Sequence, residues 1–402
     1  MEKIVEKCIF FSAHLPSPFS KQAGQRAAYN RLSWLSNHYN VILVAFQNEI
    51  EKEDNIKKIF TKCYEIHIYP IDRIRRIRNY IENFTNPIHV AVRKDKRVRL
   101  CIKDIFNHHD IAFVWMEYEQ MAAYLPLLND VSNAIVCHDV LSQMYERKMQ
   151  GKSLMNLFYR FQFHKTINWE KKIVRNSDAI ITVSEKDRRI ILNTMRCDKE
   201  KCFVSFPKVT RYKSDSLTHN IKKDGICFWG AMNREENIEA VKWFLDNIWN
   251  AIKEQKPYLK FYIIGSSPDK KLREYVDRYT DVIVTGFVDN PANIMQKCFF
   301  SVAPLFHGAG IKTKVIECME QGIPVITTQV GSEGINANQD DALFVTDRKD
   351  MYINFCKNLL DSNIKKYSLA ATRWFVNNYE KKEENETDIL KIVRYIKENK
   401  KK

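Results

Sequence analysis

The sequence lacks any apolar stretch of the length that spans a bilayer, which takes about 18 or more residues. Near the N-terminus there is only a short apolar run, at residues 8–13, and the cleavage pattern of a signal peptide is missing. These absences argue against a membrane-spanning or exported chain. We therefore expect a cytoplasmic protein whose chain begins with a β-strand.

Zinc-binding cysteine patterns are also missing. The closest two of the ten cysteines, Cys197 and Cys202, have four residues between them, with no second pair or histidine nearby to complete a metal site. Several others, including Cys8, Cys137 and Cys227, fall inside strand-like runs. We expect buried, reduced thiols as in a cytosolic protein, and predict no metal site and no cofactor.

Common nucleotide- and nucleic-acid-binding motifs are missing as well. The glycines at positions 308 and 310 do not form a Walker A loop, because Ile311 separates Gly310 from Lys312. No strand-like run precedes a G-x-G-x-x-G motif, so an ordinary NAD site is not expected. The sequence also contains no recognisable nucleic-acid-binding module.

What the sequence does have is an excess of positive charge. Its 64 lysines and arginines outnumber its 49 aspartates and glutamates, which gives a formal net charge of +15. Such a charge suggests an anionic partner: a nucleic acid, the face of an anionic membrane, or a phosphorylated substrate. Charge alone does not choose among these partners.

A length of 402 residues exceeds the usual size of one hydrophobic core, so two domains are expected. Short β-branched and aromatic runs alternate with helical stretches, which is typical of parallel sheets covered by helices. We predict an α/β protein with an N-terminal domain at 1–207, a polar linker at 208–224 and a C-terminal domain at 225–374. The predicted strands are 8–13, 41–46, 111–116, 134–139 and 179–184 in the first half, and 225–230, 260–265, 282–287, 300–304 and 324–328 in the second.

Residues 304–335 carry the most informative pattern. A strand-like run leads into a His-Gly-Ala-Gly loop, a predicted helix at 313–321 that stops at Gly322, and a strand at 324–328. A helix N-terminus after a glycine turn presents backbone N–H groups and a positive dipole end, which favour phosphate. Lys312 and Lys314 add positive charge, and ligands of open α/β sheets bind beyond the carboxyl ends of the strands. The segment therefore predicts a phosphate site.

The pattern G-A-G-I-K-x-K-V-x-E-x-M-x-x-G-x-P-V-I-x-T-x-x-G-x-E-G-I, which begins at Gly308, resembles the retaining glycosyltransferases of family 4, glycosyl transferases group 1. That resemblance implies the GT-B fold: two Rossmann-like, doubly wound domains that face each other across a cleft. It also implies that the C-terminal domain binds a nucleotide diphosphate sugar and the N-terminal domain an acceptor. A terminal helix, at about 375–402, would pack back on the N-terminal domain.

The resemblance assigns roles to particular residues. Glu317 matches a glutamate that hydrogen-bonds the ribose of the donor nucleotide, and Lys314 lies where a basic residue neutralises the diphosphate. In the N-terminal half, His138 matches a residue facing the donor sugar, while Gly24 and Arg26 belong to the acceptor side. The other donor-side candidates are Gly230, Asn233, Arg234, Gly286, Phe287, Val288, Gly308, Ala309, Gly310, Ile311, Lys312 and Glu333.

Two features depart from the family pattern. Family members often carry a second glutamate eight positions before the one matched by Glu317, and here that residue is Ala309. Many also clamp the diphosphate with an arginine and a lysine after the first strand of the C-terminal domain, where this chain has Ala231 and Glu236. Arg234, Lys312 and Lys314 are the candidates for a replacement clamp.

The function expected from this resemblance is metal-independent transfer of a hexosyl group to a glycan or lipid-linked acceptor in bacterial surface polysaccharide assembly, with retention of anomeric configuration. Three alternatives remain: a sugar-nucleotide epimerase, a silent nucleotide-sugar binder and a basic nucleic-acid-binding protein. The matched residues also have plainer interpretations. Gly308 and Gly310 would serve only as turn glycines, Glu317 as a solvated helix residue, and His138 and Arg26 as ordinary structural or surface residues.

Residues 73–84 combine arginines with an apolar helical seam formed by Ile74, Ile77, Ile81 and Phe84, and basic residues continue through 93–105. Packing against the sheet explains most such seams. The density of cations leaves open peripheral contact with the anionic inner face of a membrane, where a lipid-linked acceptor would be found.

Overall fold

The computed structural model describes residues 5–18, 20, 22–48, 61–128, 131–149, 155–209, 211–212, 222–308, 310–383 and 385–399. The chain divides into two compact units. The first combines Met1–Lys208 with Glu384–Lys402, and the second is Val209–Glu383. Residues 375–383, predicted to begin the returning terminal helix, thus lie in the second unit, where Phe375 and Tyr379 are buried.

The first unit contains a sheet of parallel strands, seven of them in the described residues, with the order β3-β2-β1-β4-β5-β6-β7. The central strands are buried on both faces, which explains their continuous apolar sequences. Phe10 of β1 pairs with Leu43 of β2 and Trp115 of β4. The strands are β1 (Lys7–Ser12), β2 (Asn40–Asn48), β3 (Glu65–Ile71), β4 (Ile111–Glu117), β5 (Asn133–Cys137), β6 (Ala179–Thr182) and β7 (Cys202–Val204).

Helices connect these strands. They are α1 (Ala23–Ser36), α2 (Arg73–Glu82), α3 (Ile88–Ala91), α4 (Lys96–His108), α5 (Leu141–Lys148), α6 (Asn156–Asn176) and α7 (Glu185–Met195), with 3₁₀ segments at Glu119–Leu127 and Lys199–Lys201. Alternate residues of β1 contribute to cores on opposite sides of the sheet: Ile9 and Phe11 on one side, Cys8 and Phe10 on the other.

The second unit contains a sheet of parallel strands, six of them in the described part of the chain, in the order β10-β9-β8-β11-β12-β13. Its strands are β8 (Gly225–Trp229), β9 (Lys260–Ile264), β10 (Val282–Gly286), β11 (Cys298–Ala303), β12 (Val325–Thr327) and β13 (Leu343–Val345). Its helices are α8 (Glu235–Phe244), which continues through the π turn Leu245–Trp249 into α9 (Asn250–Lys253), then α10 (Lys270–Val276), α11 (Ala292–Met295), α12 (Thr313–Glu320), α13 (Lys349–Asp361) and α14 (Ile364–Trp374).

The chain then returns to the first unit as α15 (Glu386–Glu398). Ile389, Ile392, Val393 and Ile396 of this helix join the same buried cluster as Phe10 of β1. The helix begins with a capping box, in which the side chain of Asn385 accepts a hydrogen bond from the backbone N–H of Asp388. The helix therefore completes one face of the first sheet.

All ten predicted strands are present, and the α/β prediction is confirmed. Sequence reasoning missed β3, β7 and β13, each of which lies at the edge of its sheet. β3 contains Pro70 and is only partly buried, while β7 and β13 are three residues long. A strand at the edge of a sheet needs no continuous apolar run, because it has a neighbouring strand on one side only and its other side is open to solvent.

None of the helices in the described residues combines the length and the apolar character that crossing a bilayer requires.

Candidate active site

A buried amine lies at the carboxyl end of β8 in the second unit. A Cβ atom added to Gly230, the residue after β8, would lie 3.1 Å from Lys314 Nζ and 2.9 Å from the side-chain nitrogen of Asn237. The Lys314 amine itself donates a hydrogen bond to the side-chain oxygen of Asn237. A glycine at position 230 is therefore what allows Lys314 to approach the strand end so closely.

The environment of Lys314 disfavours its positive charge. Burial, followed by the nearby positive charge of Arg234, lowers the pKa of Lys314 to about 7, although Glu236 and Glu317 oppose the shift. Within the described parts of the chain, no carboxylate forms an ion pair with this amine. An incoming anion would supply the missing negative charge and restore the proton.

Glu317 lies one turn after Lys314 on α12, so the two side chains share a helix face. It is only 5% exposed, and the indole N–H of Trp229 donates to its Oε2 atom at 2.7 Å. The interpretation of Glu317 as a solvated helix residue is therefore wrong. The carboxylate is held in a fixed orientation at the end of β8, near the Lys314 amine.

The loop before α12 has an unusual backbone. Gly308 and Gly310 have φ values of +112° and +68°, in the region that favours glycine. Lys312 Nζ donates to the carbonyl of Gly310 at 2.7 Å, which draws this cation back over the loop. Ile311 is partly buried, and Ala309 lies outside the described residues. The loop leads directly into α12, whose N-terminal dipole favours an anion.

The strand ends beside β8 lie close to it. The carbonyl of Gly286, at the end of β10, accepts from the N–H of Gly265 at 3.2 Å. A Cβ atom on Gly265 would in turn lie 1.7 Å from the carbonyl oxygen of Gly230. Phe287 follows Gly286 with its ring exposed, and Val288 is partly buried. The structure thus brings the predicted segment 286–288 to the same edge as Lys314.

The remaining donor-side candidates are less closely connected to that amine. Asn233 and Arg234 lie in the exposed turn before α8, and Arg234 pairs with Glu236 at 3.5 Å. Glu333 lies on the turn that follows β12, with its N–H directed at the carbonyl of Val330. The donor-side role of Glu333 stays a prediction.

In the first unit, the structure brings Gly24 and His138 together. His138 follows β5, and its ring stacks on Tyr118 with 4.1 Å between centroids. A Cβ atom on Gly24 would lie 3.3 Å from His138 Nδ1 and 2.9 Å from the Tyr118 hydroxyl. Tyr118 itself has a φ of +73°. Arg26 donates to the carbonyl of Ser20 at 2.9 Å.

A buried carboxylate orients His138. Glu117 Oε2 lies 2.8 Å from His138 Nε2 and 3.2 Å from a guanidinium nitrogen of Arg31, and both Arg31 and Glu117 are inaccessible to solvent. The indole of Trp115 donates to the other Glu117 oxygen at 3.0 Å, and Arg31 also donates to Ser205. Burial would raise the pKa of Glu117, but Arg31 and His138 outweigh it and lower the pKa to about 2.

Sequence reasoning missed several residues of these two clusters, although two of them left a signal. Arg31 follows Ala27 and Ala28 by helical spacing and precedes Leu35, so it falls on the apolar face of α1. Glu117 ends a strongly apolar strand, where a carboxylate needs a partner. Nothing in the local sequence of Asn237 or Trp229 indicates their contacts.

In the residues that the structure describes, no group of three or more histidine, cysteine, aspartate or glutamate side chains is arranged to hold a metal ion. The prediction of metal independence is a separate statement about the reaction, and it stays a prediction.

Comparisons with known proteins bear on the family and the fold of the chain. Residues 223–362, all within the second unit, match the family model described as Glycosyl transferases group 1. The chain is 22% identical over 397 residues to a Klebsiella pneumoniae protein described as an uncharacterized 44.6 kDa protein in the cps region, with 94% of this chain and 97% of that protein covered.

Solved structures share the fold over nearly the whole chain. WaaG, a glycosyltransferase involved in lipopolysaccharide biosynthesis, aligns with a TM-score of 0.65 at 12% identity, covering 97% of this chain and 99% of WaaG. Anabaena Alr3699/HepE, solved in complex with UDP and glucose, aligns with a TM-score of 0.60 at 12% identity, covering 97% and 98%. The chain therefore has the GT-B fold, and the family match and the fold together support the GT-B glycosyltransferase superfamily.

Proposed function

We propose that this protein transfers a hexosyl group from a nucleotide diphosphate sugar to a glycan or lipid-linked acceptor, with retention of anomeric configuration. The observation that carries the proposal is the Lys314 amine, which is buried against Gly230 and Asn237 beside the oriented carboxylate of Glu317. A cation that has no anionic partner among the described residues, next to a carboxylate suited to ribose hydroxyls, fits the two halves of a nucleoside diphosphate.

In this proposal Lys314 replaces the arginine and lysine clamp that the chain lacks. Arg234 pairs with Glu236, and Lys312 bonds the loop carbonyl of Gly310, so Lys314 is the candidate whose amine has no comparable anionic or loop contact. When the bond between the anomeric carbon and the diphosphate breaks, negative charge develops on the leaving oxygen. Lys314 and the N-terminus of α12 would stabilise that charge.

Retention follows if the acceptor hydroxyl attacks the face from which the diphosphate departs. The acceptor oxygen bonds the anomeric carbon, the bond from that carbon to the phosphate oxygen breaks, and the acceptor proton passes to the leaving phosphate. We assign to His138 the orientation of the donor sugar or the polarisation of a hydroxyl. Glu117 would act as a positioning residue, because it fixes the imidazole from a buried site.

Two similar proteins support the assignment to surface polysaccharide assembly: the Klebsiella pneumoniae relative, which is described as a protein in the cps region, and WaaG, which is involved in lipopolysaccharide biosynthesis. Anabaena Alr3699/HepE has been solved in complex with UDP and with UDP-glucose, so these are the first ligands to try. Cytoplasmic location, on the inner face of a membrane, would give the enzyme access to both a soluble donor and a lipid-linked acceptor.

A thermal-shift panel of nucleoside diphosphates and their sugars tests the site, because a ligand that binds only the folded state raises the melting temperature. We expect at least one diphosphate to raise it, and Lys314→Met and Glu317→Gln to reduce the shift. Lys366→Met, at an exposed lysine of α14, is the matched control. Ligand-induced thermal shifts that are equal in Lys314→Met, Glu317→Gln and Lys366→Met would reject the site.

Turnover of radiolabelled nucleotide sugars then separates the remaining activities. A glycosyltransferase releases nucleoside diphosphate and moves the label to an acceptor or, slowly, to water. An epimerase changes the sugar, a silent binder gives a thermal shift without turnover, and a nucleic-acid-binding protein does neither. Activity that persists in excess EDTA would support metal independence, and its loss would contradict that part of the proposal.

A further inference from the structure

Helix α2 packs its polar side on the protein and exposes its apolar side to solvent, which is the opposite of an ordinary surface helix. Its polar side packs on the protein: Arg76 donates to the side chain of Asn48 at 2.5 Å, and Asn79 donates to the carbonyl of Val92 at 3.2 Å. Its apolar side faces solvent, with Ile74 exposed by 78% and Ile77 and Ile81 also exposed. Of the two interpretations that the sequence left open, packing of this seam against the sheet therefore does not hold for α2.

The exposed seam continues onto a second helix. Phe84 follows the end of α2 and is exposed, as are Leu157 and Phe161 of α6, which are one turn apart on the same helix face. Lys165 joins the two segments: its Nζ lies 4.1 Å from the centre of the Phe161 ring and donates to the carbonyl of Phe84. We call Ile74, Ile77, Ile81, Phe84, Leu157 and Phe161 the apolar surface.

Helix α4 provides a basic border to this surface. Lys96, Arg99 and Lys103 are exposed at helical spacing, and Lys96 approaches Glu82 at the end of α2 to 3.7 Å. Between residues 73 and 103, ten lysines and arginines accompany two carboxylates. In contrast to the seam of α2, the apolar seam of α4 that Val98, Ile102 and Ile105 form is buried.

A contiguous exposed apolar surface usually marks an interaction site. Aliphatic side chains flanked by lysine and arginine match a bilayer, because the acyl region accepts isoleucine and leucine while anionic headgroups attract the cations. Nucleic-acid sites need the cations and aromatic rings but gain nothing from exposed isoleucines. The exposed aliphatic side chains, together with the charge complementarity of the basic border, therefore favour an anionic membrane as the occupant.

We propose that the apolar surface, with its basic border, docks on the face of an anionic lipid bilayer. The docking itself does not depend on the chemistry in the second unit. Its use, which is to bring the protein to a lipid-linked acceptor, rests on the proposed glycosyl transfer.

Sedimentation with lipid vesicles tests the docking. We expect the full chain to bind vesicles of phosphatidylcholine mixed with phosphatidylglycerol, to bind much less to phosphatidylcholine alone, and to dissociate as salt is raised. Ile77→Glu combined with Ile81→Glu should weaken vesicle binding by about tenfold or more, because the bilayer loses two aliphatic side chains that it would otherwise bury. Leu369→Glu, at an exposed leucine of α14, is the control and should bind as the unmodified chain does.

Three results would overturn the docking: no binding of the unmodified chain to anionic vesicles, equal binding by the double variant, or self-association through the apolar surface that the double variant abolishes. The double variant should keep its melting temperature, because both positions are exposed. It should also keep its nucleotide-induced thermal shift. Lys314→Met should do the opposite, binding vesicles normally while losing the nucleotide shift. Failure of the docking and failure of the proposed transfer are therefore separate results.

Discussion

The two units place charge differently at the ends of similar parallel sheets. In the first unit, Glu117 is surrounded by Arg31, His138 and Trp115, so its negative charge is compensated within the protein. In the second unit, Lys314 has an amide partner but no anionic one among the described residues. A compensated charge fixes the geometry of its neighbours, whereas an uncompensated charge provides affinity for an added ion of opposite sign.

This difference between the two charges also predicts which substitutions change folding stability and which change ligand binding. A buried ion pair is costly to break, because one partner is left charged in a poor solvent. An uncompensated buried cation lowers the stability of the unliganded protein until its ligand arrives. Substitutions of the Arg31 and Glu117 pair should therefore act mainly on folding, and substitutions around Lys314 mainly on binding.

The largest expected effect is at Glu117. Glu117→Gln removes the carboxylate that pairs with the buried Arg31 guanidinium, and should lower the free energy of unfolding by about 3–5 kcal/mol. Urea denaturation at neutral pH measures this value. A companion variant that also carries Arg31→Met removes the buried positive charge and should recover part of the loss. A decrease below about 1 kcal/mol would show that the pair is already open to water.

Removing the cation of the second unit should act in the opposite direction. The pKa of Lys314 in the folded protein, about 7, is below its ordinary value of 10.5, so the unfolded chain holds this proton more tightly. The buried lysine therefore destabilises the fold most below pH 7, and less as pH rises from 7 towards 10.5. Lys314→Met should raise the melting temperature of the unliganded protein near the pKa of Lys314, which is about 7. The same substitution should weaken diphosphate binding by about tenfold or more.

Melting curves without ligand, recorded across pH, check the stability effect, and titration calorimetry checks the binding. A variant that melts below the unmodified protein at every pH would contradict the assigned charge state of Lys314.

Diphosphate binding should take up a proton above neutral pH. In the unliganded protein the Lys314 amine is then largely neutral, whereas a bound diphosphate favours the charged amine. The affinity for diphosphate should therefore fall as pH rises above about 7. A terminal phosphate group, with a second pKa of about 6, is already ionised in that range. Calorimetry in buffers of different ionisation enthalpy measures the uptake, which Lys314→Met should abolish. Uptake that survives this substitution would assign the proton to another group.

The smallest effects should come from the two close-approach glycines. Gly230→Ala places a methyl group against Lys314 and Asn237 and should weaken diphosphate binding by a few fold. Gly24→Ala meets the Tyr118 hydroxyl and His138, and should lower kcat while leaving the diphosphate shift unchanged. Thermal shifts and initial rates of both variants test the comparison. It fails if Gly24→Ala removes nucleotide binding, because the two clusters would then not act separately.

Part of the candidate site can be proposed from the sequence. The glycine loop, Lys314 and Glu317 were identified because the segment from 308 to 335 matches a known pattern and follows a strand. The partners that give these residues their properties were missed. Asn237 and Trp229 look like ordinary helix and strand residues, and Glu117 is notable only as a carboxylate at the end of an apolar strand.

The sequence by itself determined the ten principal strands, the start of α12 and its glycine stop, because apolar runs and helix caps are properties of neighbouring residues. Only the tertiary structure decided that Lys314 meets Asn237, 77 residues away, and that Arg31 meets Glu117 across 86 residues. It also decided which side of α2 faces solvent, because helical periodicity shows that two faces differ but not which of them contacts the rest of the chain.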